Sequence, residues 1–345
     1  KLKMPSLTGI YPSAYFAAVH PGSKPDINLF DVIGERDFIV EDGDNEMVRR
    51  YGLIQTSTSD EIEKIRENTM KRQKIMRKVF AKGIRLGIDG FEIDRRLRQE
   101  TEKLGGRLTV FERDSAGKPT IENDVLINGR TLKRDRDGRP LYDYVSPRKI
   151  EKGDIVTLDG GYTDRVMGMG SDVSQPFVVG QGVFDQEYMY EAIRDAFLAM
   201  AGATVPGNLE RQRYEAARKV LDRAGITEEN GYEVFIHGAH GISTAERGEG
   251  HAGFLPRGAK IRENMVLATE LTVAKEGIGI MRIELPVAAR NSKPDILGEL
   301  PPSTLPVIPI VPSTSSSTLS DKVSLSQDMP VLRQQMELAL SLIHI

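Results

Sequence analysis

Five side chains in this sequence have the types and spacings of a metal site: Asp159, Asp172, His240, Glu270 and Glu284. Asp159 and Asp172 sit near the ends of TLDGGYTDRVMGMGSD, and a fold-back centred on Arg165-Val166 would set them opposite each other on one face of a hairpin. Glu270 and Glu284 bound ELTVAKEGIGIMRIE, whose fold-back centres on Gly277, so they too would face each other. Like charges directly opposed across strands are destabilising, and a carboxylate on a strand as apolar as MVLATELTV is costly without a partner. Cations must compensate them. Arg282 is the local candidate, but one or two divalent ions serve better, because carboxylates suit hard or borderline cations. A mixed nitrogen and oxygen site also includes a neutral imidazole. FIHGAHGIS supplies His240, with His237 nearby, flanked by glycines where backbone can approach closely.

Each residue alone has a plainer reading. Asp159 and Asp172 lie beside Gly or Ser and suit turns. Glu284 can pair with Arg282, and His240 can be a satisfied structural histidine. Two acid hairpins and a Gly-flanked histidine on a duplicated frame shift the balance to a metal site.

That frame is legible in the helices. Thr58 with Glu61 forms a capping box, and Ile62, Ile65, Met76, Val79 and Phe80 recur at helical spacing before Gly83. A second helix runs from Asp89 to Gly105-Gly106. Downstream, FDQEYMYEAIRDAFLAMAG and GNLERQRYEAARKVLDRAG form another pair, and Gly87/Gly207 and Gly105/Gly225 are each 120 residues apart. Each half therefore reads as helix, helix, then a hairpin with paired acids. Residues 1–57 lack sustained periodicity and are expected to be an N-terminal extension or the remnant of a preceding domain. Residues 58–290 carry the duplicated frame and its paired acids. Residues 291–345 are rich in Pro and Ser and are expected to be a disordered tail.

Composition narrows the class. The 345 residues are 39% hydrophobic and 28% charged, with a net charge of −3. This describes a soluble globular chain without the basic surplus that nucleic acid or an anionic membrane would attract. With no Cys, thiolate catalysis and Cys-based zinc sites are excluded. Five histidines leave few candidates for imidazole chemistry.

The order Asp, Asp, His, Glu, Glu in the contexts TLDGGY, GSDVSQPFVVG, HGAHGIS, VLATEL and MRIEL resembles the pita-bread metallopeptidases. These include methionine aminopeptidase, Xaa-Pro aminopeptidase, prolidase and the metal-free creatinase. The resemblance implies an α+β pita-bread fold with pseudo-twofold internal duplication. It implies that Asp159, Asp172, His240, Glu270 and Glu284 ligate two divalent ions (Mn, Co, Zn or Fe), with Asp172 and Glu284 bridging. Glu270 would shuttle protons, and His237 and His251 would complete the catalytic set. His251 takes that place through an insertion, because the ungapped position is Arg247. The implied activity is metallo-aminopeptidase or dipeptidase action on short peptides, nearer the Xaa-Pro branch, in a cytoplasmic chain that forms a homodimer. The alternatives are a non-catalytic binding protein that keeps the fold and a metal-independent creatinase-like C–N hydrolase.

Overall fold

The computed structural model describes residues 56–311, apart from 109–111, 114–118, 122–123, 130–131, 133, 135–145, 166–168, 238, 243–251, 255–257 and 259. Four α-helices lie among the described residues: α1 (Ser59–Phe80), α2 (Gly90–Lys103), α3 (Phe184–Gly202) and α4 (Glu210–Arg223). The main sheet has ten strands. They are β1 (Asp124–Asn128), β2 (Ile155–Gly160), β3 (Val173–Val179), β4 (Tyr232–Ile236), β5 (His240–Gly241), β6 (Ala252–Phe254), β7 (Val266–Lys275), β8 (Gly279–Ala288), β9 (Asp295–Ile296) and β10 (Val307–Ile308). The spatial order is β6-β5-β7-β8-β3-β2-β1, with β4 also on β7, β9 on β8 and β10 on β3. This is the expected α+β architecture.

The capping box forms as read: Thr58 Oγ1 accepts from Glu61 N, and Thr58 N donates to Glu61 Oε2 at 2.7 Å. The duplication is visible in detail. Helices α2 and α4 have 14 residues each and are offset by 120. Both end in the same hydrogen-bond pattern: Gly105 N to Glu102 O and Gly106 N to Thr101 O, then Gly225 N to Asp222 O and Ile226 N to Leu221 O. Gly105 and Gly225 have φ of 74° and 64°, the left-handed conformation this helix stop requires. Even the buried positions coincide, with Gly90, Ile93, Leu97 and Thr101 matching Glu210, Arg213, Ala217 and Leu221. The helices and sheet share one core, in which Met76, Leu97, Phe197 and Leu221 join Leu158, Leu271 and Met281.

Two expectations change. Asp159 lies opposite Ser174 rather than Asp172. The turn is closed by the Asp164 carboxylate, which accepts from Met169 N and Asn68 Nδ2, while Ser171 N donates to Tyr162 O. These bonds shift the pairing by two residues. A shift of two keeps the face, so the aspartates are diagonal neighbours. The glutamate hairpin folds as read, with Glu270 directly opposite Glu284. The second change concerns Asn291, which does not end the packed chain. Val307 and Ile308 pair in parallel with Val178 and Val179, and Leu297, Leu305 and Ile308 are buried. The prolines suit an edge strap, where a missing N–H costs no ladder bond. Residues 1–55 and 312–345, which carry most of the two terminal expectations, lie outside the described residues.

Candidate metal centre

One row across the sheet organises the site. Asp159 on β2 pairs with Ser174 on β3, Ser174 with Glu284 on β8, and Glu284 with Glu270 on β7. Side chains two residues apart share a face, so Asp172, immediately before β3, joins the row, as does Arg282 on β8. On the far side of β7, β4 stops at Ile236 and β5 begins at His240, which pairs with Ala268. At this break His237 N donates to Glu270 O. The interruption is what lets a histidine face the acids.

The five candidate ligands therefore converge, and all are buried. One donor atom each from Asp172, His240 and Glu284 lies within 4.8 Å of the others. His240 Nε2 is 3.2 Å from Glu284 Oε1 and 3.9 Å from Asp172 Oδ2. Ser174 Oγ donates to Glu284 Oε2 at 3.3 Å. The other two acids meet a guanidinium. Arg282 Nη1 donates to Asp159 Oδ2. Its Nε lies 2.9 Å from Glu270 Oε1 while hydrogen bonding to Thr272 Oγ1, so the Glu270 contact is ionic. His237 Nδ1 is 3.4 Å from Glu270 Oε2 and more than a third exposed. His251 and Arg247 lie outside the described residues.

Electrostatics fit a cation. Burial foremost, then Asp172, Glu270 and Asp159, push the Glu284 carboxyl well above its usual range. Burial pulls His240 down to about 4, so its ring is neutral near pH 7. With Nδ1 facing Gly241 O at 3.4 Å, Nε2 faces the carboxyl groups of Asp172 and Glu284. Three acceptors converging in a buried space suit a divalent ion with nitrogen and oxygen ligands. Buried Asp159 Oδ1 and Glu284 Oε1 also accept no hydrogen bond.

Of the buried charges that escaped the sequence reading, three bear on the site. Arg72 on α1 donates to Asp159 O at 3.2 Å, and its pKa is pulled down to about 10 by burial. Glu210 and Arg213 form an ion pair at 2.7 Å under the sheet. A signal for this pair existed, because the 120-residue offset sets them at the buried positions of Gly90 and Ile93.

Residues 63–290 match the model of Metallopeptidase family M24. The chain belongs to this family. No curated protein matches it. Solved structures similar to it include an X-Pro aminopeptidase from Thermotoga maritima, at 19% identity and TM-score 0.61, covering 77% of this chain and 67% of that one. A Xaa-Pro dipeptidase from Bacillus anthracis is 22% identical with TM-score 0.59, covering 76% and 66%. A methionine aminopeptidase from Thermotoga maritima is 19% identical with TM-score 0.55, covering 71% and 99%. At these identities the likeness speaks for the fold, which is the M24 pita-bread fold. The chain spans about two thirds of the length of the two Xaa-Pro enzymes. No helix among the described residues is long and apolar enough to cross a membrane.

Proposed function

We propose that this M24 protein hydrolyses short peptides, in the manner of an Xaa-Pro aminopeptidase or dipeptidase, at a centre of two divalent ions. The observation that carries this reading is the buried convergence of Asp172, His240 and Glu284. These three would hold one ion. Asp159 and Glu270 would join Asp172 and Glu284 around a second once Arg282 releases them. Bound ions would polarise the scissile carbonyl and activate the attacking water.

The chain's own groups do the rest. Glu270 lies in the acid row beside the half-exposed His237, which supports it as the group that would carry a proton from the attacking water to the leaving amine. Arg282 orients Asp159 through a hydrogen bond and Glu270 through an ionic contact. Ser174 fixes the orientation of Glu284 by donating to Oε2.

The test is metal content set beside hydrolysis. Purified protein supplied with Mn²⁺ or Co²⁺ is expected to take up metal and to cleave Xaa-Pro peptides, and Asp172→Ala is expected to lose both. Full hydrolysis by Asp172→Ala would overturn the reading. Metal uptake with no cleavage of Xaa-Pro or Met-initiated peptides would leave a binding protein on this fold.

A further inference from the structure

Among the described residues, strand β5, which carries His240, is two residues long; it meets β7 at Gly241 opposite Leu267 and His240 opposite Ala268, and the short strand β6 on its other side. So short a ladder is a weak mount for a metal-ligating imidazole. A further tie comes from α4. Glu210 Oε1 accepts from Ala239 N at 3.0 Å, immediately before His240. Glu210 Oε2 accepts from Arg213 Nη1 at 2.7 Å. Arg213 Nη2 then donates to Thr269 Oγ1 at 2.5 Å, immediately before Glu270, and its Nε donates to Thr204 Oγ1 at 2.8 Å. The two charged side chains are 0% and 2% exposed.

We propose that Glu210 and Arg213 are positioning residues of the metal centre, joining the backbone before His240 to the strand position before Glu270 through one buried ion pair. Thr269 and Glu270 point to opposite faces of β7, so the pair grips the strand from the helix side while the ligand projects from the other. Hydrogen bonds account for both Glu210 oxygens and for all three Arg213 nitrogens. A buried ion pair is poor value for stability alone, since well-packed apolar residues of similar volume often replace one at no cost. What it adds here is a fixed distance between two ligand-bearing segments. Partners of this kind behind metal ligands typically govern affinity.

This inference rests on the metal-centre reading, and calorimetric titration of the full-length metal-free chain with Mn²⁺ separates the two. The double variant Glu210→Leu/Arg213→Met is expected to keep its melting temperature and to bind Mn²⁺ roughly 10–100-fold more weakly. Thr269→Val removes only the hydroxyl beside Glu270 and is expected to weaken binding to a lesser degree, with Thr269→Ser restoring it. If the double variant does not fold, the Thr269 pair decides. Asp154→Asn breaks a different, half-buried ion pair, with Arg148 at 3.0 Å, and is expected to lower the melting temperature without moving Mn²⁺ affinity. Wild-type affinity in Thr269→Val together with the double variant, or an equal loss in Asp154→Asn, would overturn the proposal. Absence of uptake by the wild-type chain would instead overturn the metal reading, and this proposal with it.

Discussion

Glu284 and His240 are perturbed in opposite directions, and the signs lead to a measurable consequence. The folded metal-free state holds Glu284 protonated well above its ordinary 4.5. Its contribution to stability is therefore complete below pH 4.5 and is lost as pH rises through the folded value. His240, moved from 6.5 down to about 4, contributes above pH 6.5 and loses that contribution as pH falls toward 4. An ion entering the trio displaces protons, and Glu284, whose carboxyl keeps its proton to higher pH than usual, is their source above the His240 range. Metal uptake at pH values below the raised Glu284 range is expected to release protons at this trio. Titration in buffers of different ionisation enthalpy checks it, and a heat independent of buffer would contradict it. Arg282 supplies a second expectation. Arg282→Met leaves Asp159 and Glu270 buried without their guanidinium, which should cost the metal-free protein about 3–5 kcal/mol. Added Mn²⁺ should recover more melting temperature in the variant than in the wild type. An equal rise in both would show that Arg282 and the ions do not compete for the same acids.

Among the elements, the repeat makes its own prediction. A Cβ at Gly105 would meet nothing within 4 Å, and at Gly225 only Asn230 Nδ2 at 3.4 Å. Alanine at either position should therefore cost only the left-handed backbone, about 1–2 kcal/mol, and by urea denaturation the two losses should match. A large difference would mean that the helix ends are not equivalent. The same comparison explains what the sequence could and could not reveal. Apolar spacing and glycine stops disclosed the helices, because burial and backbone conformation are local demands. The glutamate hairpin was legible because its turn is short and pivots on Gly277. The aspartate hairpin was misread by two residues, since its turn is set by the Asp164 carboxylate and by Asn68 from α1, a contact 96 residues away. Glu210 and Arg213 look like ordinary solvent-facing helix residues until α4 is laid over α2.

For the molecule as a whole, the Pro-rich strap is part of the body. Leu297, Leu305 and Ile308 are 0%, 2% and 0% exposed. At about 1.5–3 kcal/mol each, their burial rivals the lower end of total domain stability, about 5–15 kcal/mol. A chain ended at Asn291 is expected to lose cooperative melting by calorimetry, whereas one ended at Val311 keeps it. Equal melting of the two would show that the strap is dispensable. Composition misled here because prolines that disqualify a central strand are harmless on a short parallel edge.

The ladder pair Ser174–Glu284 also joins the two halves of the duplication. Asp159 and Asp172 lie on one side of Val183, and His240, Glu270 and Glu284 lie on the other. Cut at that point, the chain gives two fragments, neither of which owns the complete trio. A divalent ion would then act as a clasp, and the concentration at which separately made fragments reassociate should fall when it is supplied.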